Sequence, residues 1–212
     1  MSDLTRFQHP RFARMYERIS AESEQRGSAD HRREMLADAA GRVVEVGAGN
    51  GLNFGHYPPE VVHVTAVEPD DSLRGRATRA AGGATVPVEV LAGHADRLPA
   101  EDESVDVVVA SLVLCSVPDQ GSALAEMRRI LKPGGQLRYY EHVRSASRVR
   151  ALLEDLITPL WSRAGGGCHP NRRTSDAVRR AGFRIDSERR FPFRPMRLGL
   201  SSDHVIGVAT KS

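Results

Sequence analysis

The chain has little cysteine, little lysine and few aromatic residues, and each scarcity narrows what it can be. Cys115 and Cys168 are its only cysteines, too few for a disulfide framework and too few for a four-ligand zinc site. Cys168 is followed by His169, but two adjacent ligands with no evident others make a poor site, so no metal is expected. Lysine occurs only at 132 and 211, so nearly all the positive charge is arginine. Aromatics make up 5%, yet hydrophobic residues reach 40% and the net charge is only +3, which excludes a disordered chain. No apolar run approaches the roughly 18 to 20 residues of a membrane-spanning helix. The longest candidate, Val105 to Val117, contains Asp106 and two serines. The N-terminus lacks the basic-then-apolar order of a secretory signal, so a cytoplasmic protein is expected.

What is present fits one domain of 212 residues. Residues 144–197 hold 13 arginines against 5 acids, but interleaved with apolar residues rather than clustered, so no nucleic-acid partner is expected. Pro10 to about Arg26 and Ser28 to Ala40 read as helices, with Phe12, Met15, Tyr16 and Ile19 on one face. Apolar runs then recur at Val43–Val46, Val61–Val67, Val86–Leu91, Val105–Leu114 and Gln136–Val143. Helical stretches at Asp70–Ala81 and Gln120–Leu131 lie between them, the second ended by Lys132-Pro133-Gly134-Gly135. Valine-rich strands separated by helices predict a parallel sheet covered on both faces, an α/β doubly wound domain. After a helix at Thr174–Ala181, strands at Phe183–Phe191 and His204–Thr210 follow without a crossover helix, so they should pair antiparallel. Residues 1–40 are expected to supply N-terminal helices acting as a lid, and 41–212 the main domain. A substrate-facing insertion is expected at about 144–172.

The strongest local signal is Val43-Val44-Glu45-Val46-Gly47-Ala48-Gly49-Asn50-Gly51 at the end of the first strand. Glycines let backbone amides approach a ligand, and a following helix would aim its N-terminus there. A dinucleotide fingerprint requires Gly-x-Gly-x-x-Gly, whereas the extra glycine here, Gly51, arrives one residue early. Glu68, in Val67-Glu68-Pro69-Asp70, is suitably placed to accept hydrogen bonds from both hydroxyls of a ribose. An adenosine cofactor without a pyrophosphate satisfies both facts.

These residues resemble the class I S-adenosylmethionine-dependent methyltransferases. Val43–Gly51 looks like the family's first motif, Val67–Asp70 its acidic second, and Gly93-His94-Ala95-Asp96-Arg97-Leu98-Pro99 its adenine-binding third. Ser104–Val109 looks like the fourth strand, and Glu126–Gly135 the helix and turn before the fifth. Within the family, Leu112–Val117, Glu141-His142-Val143, Gly165-Gly166-Gly167-Cys168 and Arg172-Arg173-Thr174 most resemble the methyltransferase-like thiol S-methyltransferases. Animal members carry a hydrophobic N-terminal anchor; the segment here is amphipathic and charged, so no membrane span is expected.

The resemblance implies a Rossmann-like seven-stranded sheet, mostly parallel with an antiparallel terminal hairpin strand, and S-adenosylmethionine as cofactor. It places Gly47, Ala48, Gly49, Asn50, Gly51, Glu68, Pro69, His94, Ala95, Asp96 and Ser111 around that cofactor. His94 stands where many relatives carry Asp, and Asn50 either meets the methionine part or caps a helix. Methyl transfer is an in-line displacement that needs alignment and exclusion of water more than acid-base machinery. The acceptor is expected to be a small molecule, plausibly a thiol, with oxygen, nitrogen or carbon acceptors and a non-catalytic binder as alternatives. His142 and His169 are the candidate catalytic side chains, the first after strand 5 and the second on the glycine-rich loop. Cys115 reads as a packed wall residue. A nucleic-acid substrate is disfavoured because the Asn/Asp-Pro-Pro-aromatic motif is missing after strand 4.

Overall fold

Strands rich in β-branched valine, and two helices capped by aspartate, build the centre of the chain. The computed structural model describes residues 4–212, so residues 1–3 of the expected N-terminal segment lie outside the described residues. Helix α1 (Pro10–Ser23) and α2 (Ala29–Leu36) come first, with the chain turning between them at Gly27, whose φ of 116° a side chain would resist. Then follow β1 (Gly41–Val46), β2 (Val61–Val67), α3 (Asp71–Ala81), β3 (Val88–Leu91), β4 (Val105–Ser111), α4 (Gln120–Ile130) and β5 (Leu131–His142). The rest is α5 (Arg148–Ala164), α6 (Thr174–Arg180), β6 (Phe183–Phe193) and β7 (Ser202–Lys211).

The seven strands form one sheet in the order β3-β2-β1-β4-β5-β7-β6. β1 pairs parallel with β2 and β4, β2 with β3, and β4 with β5. β7 runs antiparallel between β5 and β6, as expected where no crossover helix intervenes. The order reverses between β1 and β4, and the crevice beyond their carboxyl ends is where doubly wound sheets hold ligands.

Both faces of the sheet are buried, because successive side chains on one strand face opposite ways. Val44, Val108, Leu137 and Tyr139 pack with Leu124, Met127 and Ile130 of α4 and Val178 of α6 on one side. Val43, Val107, Val109 and Tyr140 pack with Met35 and Leu36 of α2 and Ala77 of α3 on the other. Asp70 caps α3 by accepting from the amides of Ser72 and Leu73, and Asp119 caps α4 through Gly121 and Ser122.

Several boundaries differ from the sequence reading by a few residues, and two of the differences have a clear backbone cause. β4 ends at Ser111 rather than Leu114, because Leu112 adopts φ 60° and turns the chain out of the sheet. Lys132–Gly135 does not separate α4 from β5. The strand starts at Leu131 and carries these residues as an irregularity, the register shifting between the Val105–Leu131 and Val107–Gln136 pairs. Helix α5 fills the expected insertion and leaves Val149, Leu152, Leu156 and Leu160 exposed.

Candidate active site

The glycine turn after β1 is fixed by the end of β2. The amides of Gly47 and Ala48 donate to the Val67 carbonyl at 2.8 and 3.1 Å. The amide of Gly49 donates to Glu68 Oε2 at 2.7 Å, and the amide of Asp70 to Oε1 at 2.9 Å. Glu68 is buried, and burial raises its carboxyl pKa to about 7 against the pull of those two amides. Gly47, Gly49 and Gly51 all have positive φ. A Cβ on Gly47 would lie 2.5 Å from Val113, and one on Gly51 2.8 Å from both Phe54 and Ala80. Gly51 therefore packs into the fold.

A cavity of about 300 Å³ opens beside this turn, a volume within the range of small-molecule sites. Gly47, Gly49, Glu68, Pro69, His94, Ala95 and Ser111 line it. So do Phe12, Tyr16, Val113, Ser116, Val117, Gly166 and Gly167, with Tyr16 and Val113 against the glycine turn itself. The N-terminal segment is tied across the opening: Gln8 Nε2 donates to the Pro69 carbonyl at 2.8 Å and the amide of His9 to Asp70 Oδ2 at 2.9 Å. The ring of Phe7 stacks on that of His94, with centroids 5.4 Å apart.

The far wall is the loop 112–117, and its free amides are taken by a side chain rather than by a strand. Glu141, fully buried on β5, accepts from the amides of Val113, Leu114 and Cys115 at 2.9, 2.8 and 3.0 Å. Burial, and then the Cys115 sulfur, push its carboxyl well above the usual range. The glycine loop after α5 lies against this wall, with the amide of His169 donating to the Cys115 carbonyl at 2.7 Å and Arg172 Nη1 to the Leu114 carbonyl at 2.6 Å. Gly167, at φ 88°, permits the approach, since a Cβ there would stand 2.8 Å from the Ser116 carbonyl oxygen.

Behind this wall Cys115 Sγ, Cys168 Sγ and His142 Nδ1 converge, at 3.7 Å between the sulfurs and 3.7 and 3.6 Å from each to the nitrogen. The bond with Cys168, together with burial, raises the Cys115 thiol, while the same bond lowers Cys168. Burial disfavours the imidazolium of His142, but the Cys115 sulfur outweighs it and the net direction is upward.

Over residues 44–139 the chain matches the methyltransferase domain family. It is 35% identical to thiol S-methyltransferase TMT1B of Rattus norvegicus, across 80% of this chain and 70% of that protein. The human TMT1B is 36% identical across 83% and 74%. This chain belongs to the S-adenosylmethionine-dependent methyltransferases. More distantly it resembles a ubiquinone/menaquinone biosynthesis C-methyltransferase of Shewanella piezotolerans, 29% identical over 55% of this chain and 49% of that one. An S-adenosylmethionine-dependent methyltransferase of Thermotoga maritima superposes with a TM-score of 0.72 at 25% identity, covering 95% and 97% of the two chains.

The residues of this methyltransferase fit the cofactor. Gly47 and Gly49 bring bare backbone to the cavity wall, and Glu68 stands there with each oxygen accepting one backbone amide, so the cavity offers a carboxylate with lone pairs still free and a side-chain-free cradle. Of the other residues marked from sequence, Pro69, His94, Ala95 and Ser111 also line the cavity. Ala48, Asn50, Gly51 and Asp96 are not among its lining residues. Asn50 donates to Ser20 Oγ at 3.3 Å and Asp96 lies 3.4 Å from Arg6. His142 and His169 are not among them either: His142 Nδ1 faces the two sulfurs, and His169 Nδ1 lies 2.6 Å from the Gly167 carbonyl oxygen.

Sequence reading did not single out Arg32. It is buried, and donates to Glu24 at 3.0 Å, Asn53 at 2.8 Å and Ser111 at 3.1 Å. Asn53 in turn donates to Glu45, which also accepts from Tyr57. This network joins α2 to the floor of the site, and its one advance signal is Glu45, a carboxylate inside a valine strand.

Proposed function

We propose that this methyltransferase moves the methyl group of S-adenosylmethionine to the sulfur of a small thiol, in the cytoplasm. The observation that carries the reading is the lining of the cavity. Besides Glu68, Asp70, His9 and His94, that lining is mostly apolar or small, with Phe12, Val113, Val117, Gly166 and Gly167 beside the hydroxyls of Tyr16 and Ser116. Such a lining suits an acceptor that ionises unaided, and a thiol with pKa near 8.5 does so far more readily than an alcohol. Likeness to the thiol S-methyltransferases continues beyond residue 139, into the loops that build this wall, and supports the same choice.

The bound S-adenosylmethionine supplies an electrophilic methyl on a sulfonium. Glu68, Gly47 and Gly49 hold it, while Phe12 and the N-terminal segment close over the cavity as a lid and exclude water. With the cofactor held there, the cavity would align a thiol with that methyl, its proton passing to solvent and the new carbon–sulfur bond replacing the sulfonium bond, with S-adenosylhomocysteine as product. His142 and His169 serve in this reading as positioning residues, holding the wall against which the acceptor lies. Two free buried thiols suit the reducing cytoplasm, and no helix among the described residues is long and apolar enough to cross a membrane.

The test is release of S-adenosylhomocysteine across a panel of small thiols, phenols and amines at several pH values. Turnover confined to thiols and rising as each thiol ionises is expected; turnover of phenols or amines without thiols would overturn the assignment.

A further inference from the structure

Cys115, His142 and Cys168 come from three separate parts of the chain: the loop after β4, the end of β5 and the glycine loop after α5. Cys115 is 1% exposed and Cys168 7%. Their three candidate ligand atoms stand 3.7, 3.7 and 3.6 Å apart. A tetrahedral zinc ion with Zn–S near 2.3 Å and Zn–N near 2.05 Å requires sulfur–sulfur edges of about 3.75 Å and sulfur–nitrogen edges of about 3.6 Å. All three separations match. A disulfide would instead need the sulfurs at about 2.05 Å.

The backbone holds these atoms in place without help from the thiols. Glu141 pins the amide of Cys115, the amide of His169 pins its carbonyl, and Gly167 allows the second loop to press against Ser116. His169, although adjacent to Cys168, turns its Nδ1 to the Gly167 carbonyl and leaves the third corner to His142. Ser116 Oγ lies 3.5 Å from Cys115 Sγ and its residue lines the cavity.

We propose that Cys115, His142 and Cys168 form a three-ligand site for one thiophilic divalent cation, zinc foremost, that ties together three segments of the acceptor wall. Two thiolates balance the charge of the ion and a neutral imidazole completes the donor set, so loading releases the two thiol protons. Three protein ligands leave one position for water or the Ser116 hydroxyl, the ligand count of an open rather than a closed zinc site. The proposal does not depend on which acceptor the methyltransferase uses.

The experiment loads the full chain, stripped by chelator under reducing conditions, with zinc, and separately with cobalt(II) as a spectroscopic probe. One zinc per chain, thiolate-to-cobalt charge-transfer absorption with the visible bands of a tetrahedral ion, and protection of both cysteines from a maleimide are expected. Cys168→Ser should weaken zinc binding about tenfold or more, and His169→Ala should leave the stoichiometry unchanged. Because Cys168→Ser could disturb folding, the maleimide protection is read on the parent chain, where it needs no variant. Zinc that binds equally well to Cys168→Ser, or fails to protect either cysteine in the parent, would overturn the site. So would a Cys115–Cys168 disulfide forming in air while the reduced chain takes up no zinc.

Discussion

Glu68 Oε2 accepts the amide of Gly49 at 2.7 Å, so the carboxylate that ends β2 is bonded directly to the turn that ends β1. Two adjacent strands thus share one small polar joint at the mouth of the cavity. The joint is buried.

With the Glu68 pKa near 7, only the carboxylate form accepts from two ribose hydroxyls. Affinity for S-adenosylmethionine should therefore tighten as pH rises through about 7 and level off above it. The unliganded fold responds with the opposite sign. An acid whose pKa is raised above its usual 4.5 stabilises the folded state below that value, and the contribution is lost as pH rises through about 7. Calorimetric titration from pH 6 to 8.5 checks the first statement, and Glu68→Gln should abolish the pH dependence while weakening binding by about 1–3 kcal/mol.

Replacing Gly51 by Ala places a methyl group 2.8 Å from Phe54 and Ala80 at a φ of 83°. Overpacking and backbone strain together should cost about 1–3 kcal/mol. In a chain of this size that is a fall in melting temperature of a few degrees, about 2–4 °C per kcal/mol. An unchanged melting temperature would show that the turn relaxes freely.

Glu141 satisfies three amides at once, and Glu141→Ala leaves them buried without a partner at about 1–3 kcal/mol each in the worst case. The expected result is a strongly lowered melting temperature, with Glu141→Gln recovering part of it because one carbonyl oxygen remains as acceptor. Equal melting for Ala and Gln would mean the loop reorganises around water.

Arg32→Met should destabilise by about 3–5 kcal/mol, since it strands the buried Glu45 network on one side and Glu24 on the other. Chemical denaturation gives the value directly. A loss below about 1 kcal/mol would mark the network as replaceable by packing.

Gly47, Gly49 and Glu68 were legible as residues of one cavity because they sit at strand ends that valine runs announce, whereas Ala48, Asn50 and Gly51 in the same turn do not line it. The acceptor wall was not readable in the same way. Cys115 and Cys168 are separated by 53 positions, and nothing in the neighbourhood of either says that they meet. Arg32 was equally silent, because a charged residue on a polar helix looks solvated until the sheet beneath it is seen to contain Glu45. The ends of β4 and β5 were misjudged where backbone geometry at Leu112 and Gly134 overrides an apolar or turn-like composition.

The position of β7 bears on when the molecule first becomes competent during its synthesis. β6 precedes β7 in the chain, yet β7 is the strand that pairs with β5. A ribosome that has released everything up to β6 has therefore made a cofactor turn and a glycine loop but left the edge of β5 bare. His204 of β7 packs its ring 4.4 Å from that of His142, and the amide of Val143 waits for the carbonyl of Asp203. Until that late strand slides between its two neighbours, the end of β5 that carries Glu141 and His142 lacks its antiparallel partner.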